Sequence, residues 1–486
     1  GTDEFNELLS DYKVEITCKI PRNQAALLFL QQAMPLLKKR GLLSLVLPSG
    51  PLLYNDTADY RKDFFSRYNI PQLIDFSAIN LFDKANYPSV VLFAENNTPD
   101  EKDILHITVK RTKTAKEKLY FEIDHYDFHF VPEEIALDDT VIWKTNLLGG
   151  GHLYHLIKRF QKLRTLGEYL DEKKKNKEWV YGEGYKLGLG SSNPQKAPHL
   201  TGKEMVPTDQ FDENGIHQIA VENEKYFERP REKNKQIFKK PHLIIKKTPD
   251  IPILFIDKDL IFRNEIIGIN APYEEKNDLK NLEKYINKYD SVYKMLLISM
   301  SGRAGVSRST STVLKKDIMN LPYPENKKDL MLSQAEKIIC ADIIDYGIEQ
   351  LSKGENANVN TREASERQLQ RFSETFCDSL NSVYAEGKKQ FYSYKPVATA
   401  SYICCPFAYG NPEKPFSIPQ KEIEEGDLTI LMENNKGENS LYRRILKIYG
   451  NNTVYLIKPK TLRYWLKSVA LRDASETFMD LVKSGY

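Results

Sequence analysis

Residues 20–53 read IPRNQAALLFLQQAMPLLKKRGLLSLVLPSGPLL, and this stretch decides the fold class. Ala26, Phe29, Leu30, Ala33, Leu36 and Leu37 recur at helical spacing, which predicts a helix ending near Gly41. The next seven residues, LLSLVLP (42–48), form an unbroken apolar run closed by Pro-Ser-Gly, as expected of a strand covered on both faces of a parallel sheet. Downstream, TADYRKDFFSRY (57–68) reads as a second helix. PQLIDFSAI (71–79) and SVVLFAE (89–95) read as strands separated by the loop LFDKANYP (81–88). Helices alternating with apolar strands predict an α/β unit over 1–130, a partly parallel sheet with flanking helices.

Beyond it, 145–325 mixes short strand candidates with a helix over NLEKYINKYDSVYKMLLISM (281–300), and Pro322 and Pro324 close that region. Residues 330–390 read as helices interrupted by the polar GENANVN. Residues 391–486 turn β-rich, through DLTILMENNKGENSLYRRILKIYGNNTVYLIKP, before a last helix from about Ser475.

With 486 residues, 41% hydrophobic and 28% charged, the chain has an ordinary globular composition and room for three or four domains. No apolar run approaches the roughly 18 residues a membrane helix needs, and the opening GTDEFNELLSDYKVE is acidic where a secretory signal is basic and then apolar. Five cysteines, odd in number and without a CxxC spacing, fit a reducing cytoplasmic setting; vicinal Cys404 and Cys405 read as buried apolar packing. The eight histidines are scattered without ligand spacing, so no structural metal is expected.

The net charge is only +3, so affinity for a polyanion has to come from local clusters. From Arg229 to Lys247 eight basic residues stand against the single acid Glu232. Lys233, Lys235, Lys239 and Lys240 suit phosphate contact, and Arg229 and Arg231 suit phosphate or guanine. In SGRAGVSRSTST (301–312), small residues let backbone amides approach a phosphate while Arg303 and Arg308 supply charge, with Lys315 just beyond. WVYGEGYKLGLGSSN (179–193) lacks a phosphate-cradle register; it reads instead as a DNA-facing turn carrying Tyr185 and Lys186. A solvated charged face would leave the same pattern. Carboxylate and lysine letters near 99 and 171 are too common in so charged a chain to mark a nuclease site.

The order helix, GLLSLVLPSGPLL, YRKDFFSRYNIPQLIDF and then LFDKANYPSVVLF resembles the second half of the catalytic domain of γ-class DNA adenine-N6 methyltransferases, over residues 15–95. The Lys-Asp-Ile and Leu-Pro-Tyr-Pro signature (316–324) is similar to one in many adenine methyltransferases and restriction enzymes. The resemblance implies a partial Rossmann-like sheet over 1–130, a mixed α+β target-recognition domain over 145–325, and a helical then β-rich extension. It implies double-stranded DNA as partner, a restriction nuclease subunit as a further one, and S-adenosylmethionine as cofactor of the intact enzyme. Phe82, opening the loop that stacks on a flipped adenine in that family, and Tyr87 become target-base candidates, with a core phenylalanine as the plain alternative for Phe82. Neither a glycine-rich cofactor turn nor the Asn-Pro-Pro-Tyr/Phe tetrapeptide is present, so no catalytic residue is assigned, this chain is expected to bind no cofactor alone, and an N-terminal truncation is the expected cause. Asn270-Ala271-Pro272-Tyr273 looks like a degenerate tetrapeptide but reads more simply as a turn. The alternatives are a non-catalytic DNA-binding specificity or decoy protein and a protein-interaction scaffold.

Overall fold

In the computed structural model, which describes residues 18, 20–21, 24–54, 58–79, 81–82, 88–100, 103–112, 120–188, 191, 193–305, 313–415 and 444–486, the first helix is α1 (Ala25–Ala33). It stops earlier than the apolar spacing suggests, because Pro35 enters a 3-10 turn over Met34–Leu36 and cannot continue an α-helix. Strand β1 (Leu42–Pro48), helix α2 (Ala58–Arg67) and strands β2 (Asn69–Asp75), β3 (Ser89–Glu95), β4 (Ile104–Thr108) and β5 (Phe128–Val131) follow. The sheet runs β1-β3-β2-β4-β5. β3 lies antiparallel between β1 and β2, with Leu92 opposite both Leu45 and Leu73; β2 and β4 are parallel, and β5 is antiparallel to β4.

The expected partly parallel sheet is present through β2 and β4, and the reading of β1 is corrected. The sheet is mixed and mainly antiparallel, and β1 is an edge strand instead of one covered on both faces: Leu42 is 59% and Val46 50% exposed. α2 buries Tyr60, Phe64 and Phe65, and carries a fully buried Arg61 whose guanidinium donates to the carbonyls of Leu52 (3.1 Å), Ala136 (3.2 Å) and Asp139 (3.3 Å). A buried charge so fully hydrogen-bonded fixes the connection that follows β5 against α2.

The chain divides into two compact units, Gly1–Leu52 with Asp56–Gly150 and Ser333–Tyr486, and Leu53–Asn55 with Gly151–Leu332. In the second, Thr165 caps helix α3 (Leu166–Lys177) in a capping box with Glu168. Strands β6 (Val180–Glu183), β7 (Glu204–Val206), β8 (Ala220–Val221), β9 (Tyr226–Arg229), β10 (His242–Lys246), β11 (Ile253–Ile256), β12 (Ile261–Phe262) and β13 (Ile266–Asn270) come next. Helices α4 (Lys276–Lys288), α5 (Asp290–Met300) and α6 (Lys315–Met319) complete it. An antiparallel sheet β11-β10-β13-β6 is joined by a smaller one, β8-β7-β12, in which β7 and β12 are parallel. An aromatic core of Tyr185, Phe211, Phe227, Phe238 and Phe262 packs with Ile244 and Ile266 of the larger sheet. The single helix expected over 281–300 is interrupted at Tyr289, where α4 ends.

Residues from Ser333 onward belong with the first unit. Helix α7 (Glu366–Tyr384), strands β14 (Gln390–Ser393), β15 (Tyr402–Gly410), β16 (Leu446–Gly450) and β17 (Thr453–Pro459), and helix α8 (Lys467–Lys483) build a sheet β14-β15-β17-β16 against which α7 and α8 pack. α8 begins at Lys467, not near Ser475, and DLTIL (427–431) lies outside the described residues. The return is tied by charge: Arg444 reaches Glu122 (2.7 Å) and Asp124 (2.6 Å), and Arg463 reaches Asp124 (3.2 Å). Cys404 and Cys405 are both buried on β15, but strand alternation sends them to different apolar clusters.

A candidate nucleic-acid interface

Glu183, the last residue of β6, is the centre about which basic residues gather in the second unit. Lys247 reaches its carboxylate at 2.6 Å and Arg231 at 3.3 Å, while the Arg231 Nε donates to the Gly184 carbonyl at 3.0 Å. Burial alone would raise the Glu183 carboxyl; the Lys247 hydrogen bond and charge, followed by Arg231 and Arg229, hold it below its ordinary value instead. Lys315 stands in the same field, its ammonium 4.6 Å from the centre of the Tyr181 ring, and the Tyr181 hydroxyl is fixed on Asp171 at 2.6 Å. Partial burial lowers the Lys315 ammonium, with Glu183 opposing and Arg231 reinforcing that shift. Arg231 and Lys247 pair with Glu183, Arg229 lies 3.9 Å from Glu228, and Lys315 stands over the Tyr181 ring whose hydroxyl is held by Asp171, so four cations lie among three acids with a small surplus of positive charge. Such a surplus is suited to phosphate.

The backbone explains why these residues meet. Gly184 follows β6 with its amide on the Ile266 carbonyl; any Cβ there would collide with the carbonyl oxygens of Phe262 and Arg263. Gly184 serves this close strand approach, whereas a Cβ at Gly182 would meet only ordinary contact. Lys247 follows β10, and the Val313 amide donates to its carbonyl at 3.1 Å, which sets Val313 at the strand end. Ser301, which follows α5, donates its hydroxyl to Asp317 at 2.8 Å, and Arg303 is exposed.

Other basic residues are not drawn together. Lys186 pairs with Glu228 at 2.5 Å, Lys235 with Glu232 at 3.0 Å and Lys239 with Asp259 at 2.7 Å, each on the surface. For these three the solvated-face reading fits. Lys233 and Lys240 are exposed. Tyr185 requires a correction: it is fully buried and its hydroxyl donates to Glu222, so it is a core residue that faces no DNA. Asn270 spends its side-chain amide on the carbonyls of Lys239 (2.9 Å) and Pro241 (3.1 Å), as a turn residue does. In the first unit Phe82 is 49% exposed on the β2–β3 connection and outside the core, which removes the core-phenylalanine alternative. Tyr87 and Arg308 lie outside the described residues.

The pairing of Glu183 with Lys247 is not marked in the sequence, because the two residues lie 64 positions apart. No family model and no curated protein matches this chain. Among solved structures it is similar to the type IIG restriction endonuclease BpuSI (10% identity, TM-score 0.29, 74% of this chain and 52% of that one). It is also similar to the type IIL restriction-modification enzyme MmeI in complex with DNA (12%, TM-score 0.36, 74% and 49%). A third similarity is to DrdV in a DNA complex (11%, TM-score 0.27, 82% and 44%). The chain spans about half the length of these structures. No described helix is long and apolar enough to cross a membrane.

Proposed function

We propose that this chain is the C-terminal part of a site-specific DNA adenine-N6 methyltransferase of a restriction-modification system, and that its second unit supplies recognition of double-stranded DNA. The observation that carries the DNA-binding reading is the cluster of Arg229, Arg231, Lys247 and Lys315 about Glu183. Four cations among the three acids Glu183, Glu228 and Asp171 keep a surplus of positive charge that suits a phosphate.

The methyltransferase part rests on the sequence resemblance, with two supporting features. β1 pairs only with β3 among the described strands and carries no charge over 42–48, so it offers a free apolar edge where further strands of an open sheet can add. Phe82 is exposed, as a residue that stacks on an extruded base has to be. In that reading S-adenosylmethionine belongs to the intact enzyme. The described residues offer no glycine-rich turn opening a helix after a parallel strand, so they do not fit a complete cofactor cradle. A restriction nuclease subunit is a further partner of the intact system in the same reading.

Fluorescence anisotropy with a labelled duplex of roughly 30 base pairs, at several salt concentrations, tests the DNA-binding part. The expected result is an affinity that falls linearly with salt on logarithmic axes; no binding at low salt contradicts it.

A further inference from the structure

On the opposite side of β10 from Lys247, Lys246 faces a cleft of about 640 Å³ lined also by Thr208, Asp209, Glu222, Glu224 and Arg263. Strand alternation separates it from the Glu183 cluster. The cleft is built around a buried carboxylate. Glu222 accepts from the Tyr185 hydroxyl and from the Glu224 amide (3.1 Å), and stands 3.6 Å from Arg263 Nη2. The Arg263 guanidinium is therefore held from behind while its side chain remains 39% exposed. Its Nε and the Thr208 hydroxyl are buried with no hydrogen-bond partner among the described residues. Lys246 spends its ammonium on the Phe211 carbonyl at 2.6 Å. Donors are thus left open at Arg263 and Thr208, and the carboxylates of Asp209 and Glu224 stand exposed at the rim.

This is poor chemistry for a phosphate, since three carboxylates face two cations. It is good chemistry for a base edge, which presents acceptors and amino donors side by side. A guanidinium fixed by a second residue is also the group best able to grip two acceptors in one plane. We propose that this cleft reads one G·C base pair, the Arg263 guanidinium taking the guanine acceptors and the rim carboxylates of Asp209 and Glu224 accepting from the cytosine amino group. The assignment rests on the DNA-binding reading above and adds a specificity-determining residue to it; Glu222 and Tyr185 are positioning residues.

The test is selection by the full chain from a pool of duplexes with a randomised central segment, followed by anisotropy on the selected sequence and its single-base variants. The wild type is expected to enrich a sequence with an invariant G·C pair, and Arg263→Ala and Arg263→Lys to lose preference at that pair by about ten-fold or more, with the other positions and the salt slope unchanged. Arg263→Lys keeps a cation beside Glu222 and so guards against a merely unfolded variant; a thermal melt checks both. An unchanged preference in variants that still bind DNA overturns the inference. Binding by the wild type with no sequence preference also overturns it while leaving DNA binding intact, whereas no DNA binding at all overturns both.

Discussion

Phe82 and Tyr185 show what single residues reveal and conceal. An aromatic residue between two apolar runs is equally compatible with core and with surface, and only its exposure of 49% separates the two. Phe82→Ala should accordingly shift stability by no more than about 0.5 kcal/mol in urea unfolding; a loss of about 3 kcal/mol or more would return Phe82 to the core. Tyr185 misleads in the other direction. Flanked by glycines and Lys186 it reads as an exposed turn, yet its ring lies among Phe227 and Phe238 and its hydroxyl finds Glu222, a residue 37 positions away. Burial of that kind is set by tertiary packing that local composition does not encode. The basic run shows the same limit, since its cations divide between a shared acid at Glu183 and ordinary surface pairs according to acids that lie elsewhere in the chain.

Elements were more legible than their surroundings. α2 and β3 fall where apolar periodicity puts them, because a local 3.6 or 2.0 period is a property of the segment itself, whereas β2 begins two residues before the expected 71–79 and ends at Asp75. What failed was the environment: the run LLSLVLP looks doubly covered, but among the described strands it pairs with β3 alone, and Leu42 and Val46 are exposed. Strand partners depend on topology, and residue types alone left open that β3 would insert antiparallel between β1 and β2. At the same scale, Gly184 is a packing requirement. Gly184→Ala has to push apart the β6 end and the Phe262–Arg263 backbone, so a loss of stability of about 2 kcal/mol or more is expected in denaturant unfolding, in the range of overpacked sites. A stable alanine variant would mean that the strands approach less closely than described.

At the level of the whole molecule, the chain leaves the first unit near residue 150 and re-enters it near 333, which sequence composition shows only as a change of texture. The return is held by buried charge, Arg444 and Arg463 meeting Glu122 and Asp124, and the first sheet that it meets carries a pH-sensitive group, His129, beside Thr108. Burial, followed by the charges of His106, Arg472 and Lys110, lowers the His129 imidazole from 6.5 to about 2. The folded state therefore keeps it neutral while the unfolded chain takes a proton near 6.5. Stability is full above that value and declines as pH falls below it, by up to about 1.4 kcal/mol per pH unit for this residue. Urea midpoints between pH 7 and pH 5 should fall for the wild type and fall less for His129→Gln; parallel slopes would contradict this.

The central claim is that the Glu183 cluster, and not the basic run as a whole, meets DNA. The most direct measurement compares the salt dependence of duplex binding for two variants, Arg229→Ala/Lys315→Ala in the cluster and Lys235→Ala/Lys239→Ala among the surface pairs. The cluster variant is predicted to bind more weakly and to flatten the logarithmic salt slope by about 0.9 for each phosphate it no longer neutralises, with the surface variant close to wild type. Equal slopes in the two variants, or a larger effect from Lys235 and Lys239, would contradict the assignment.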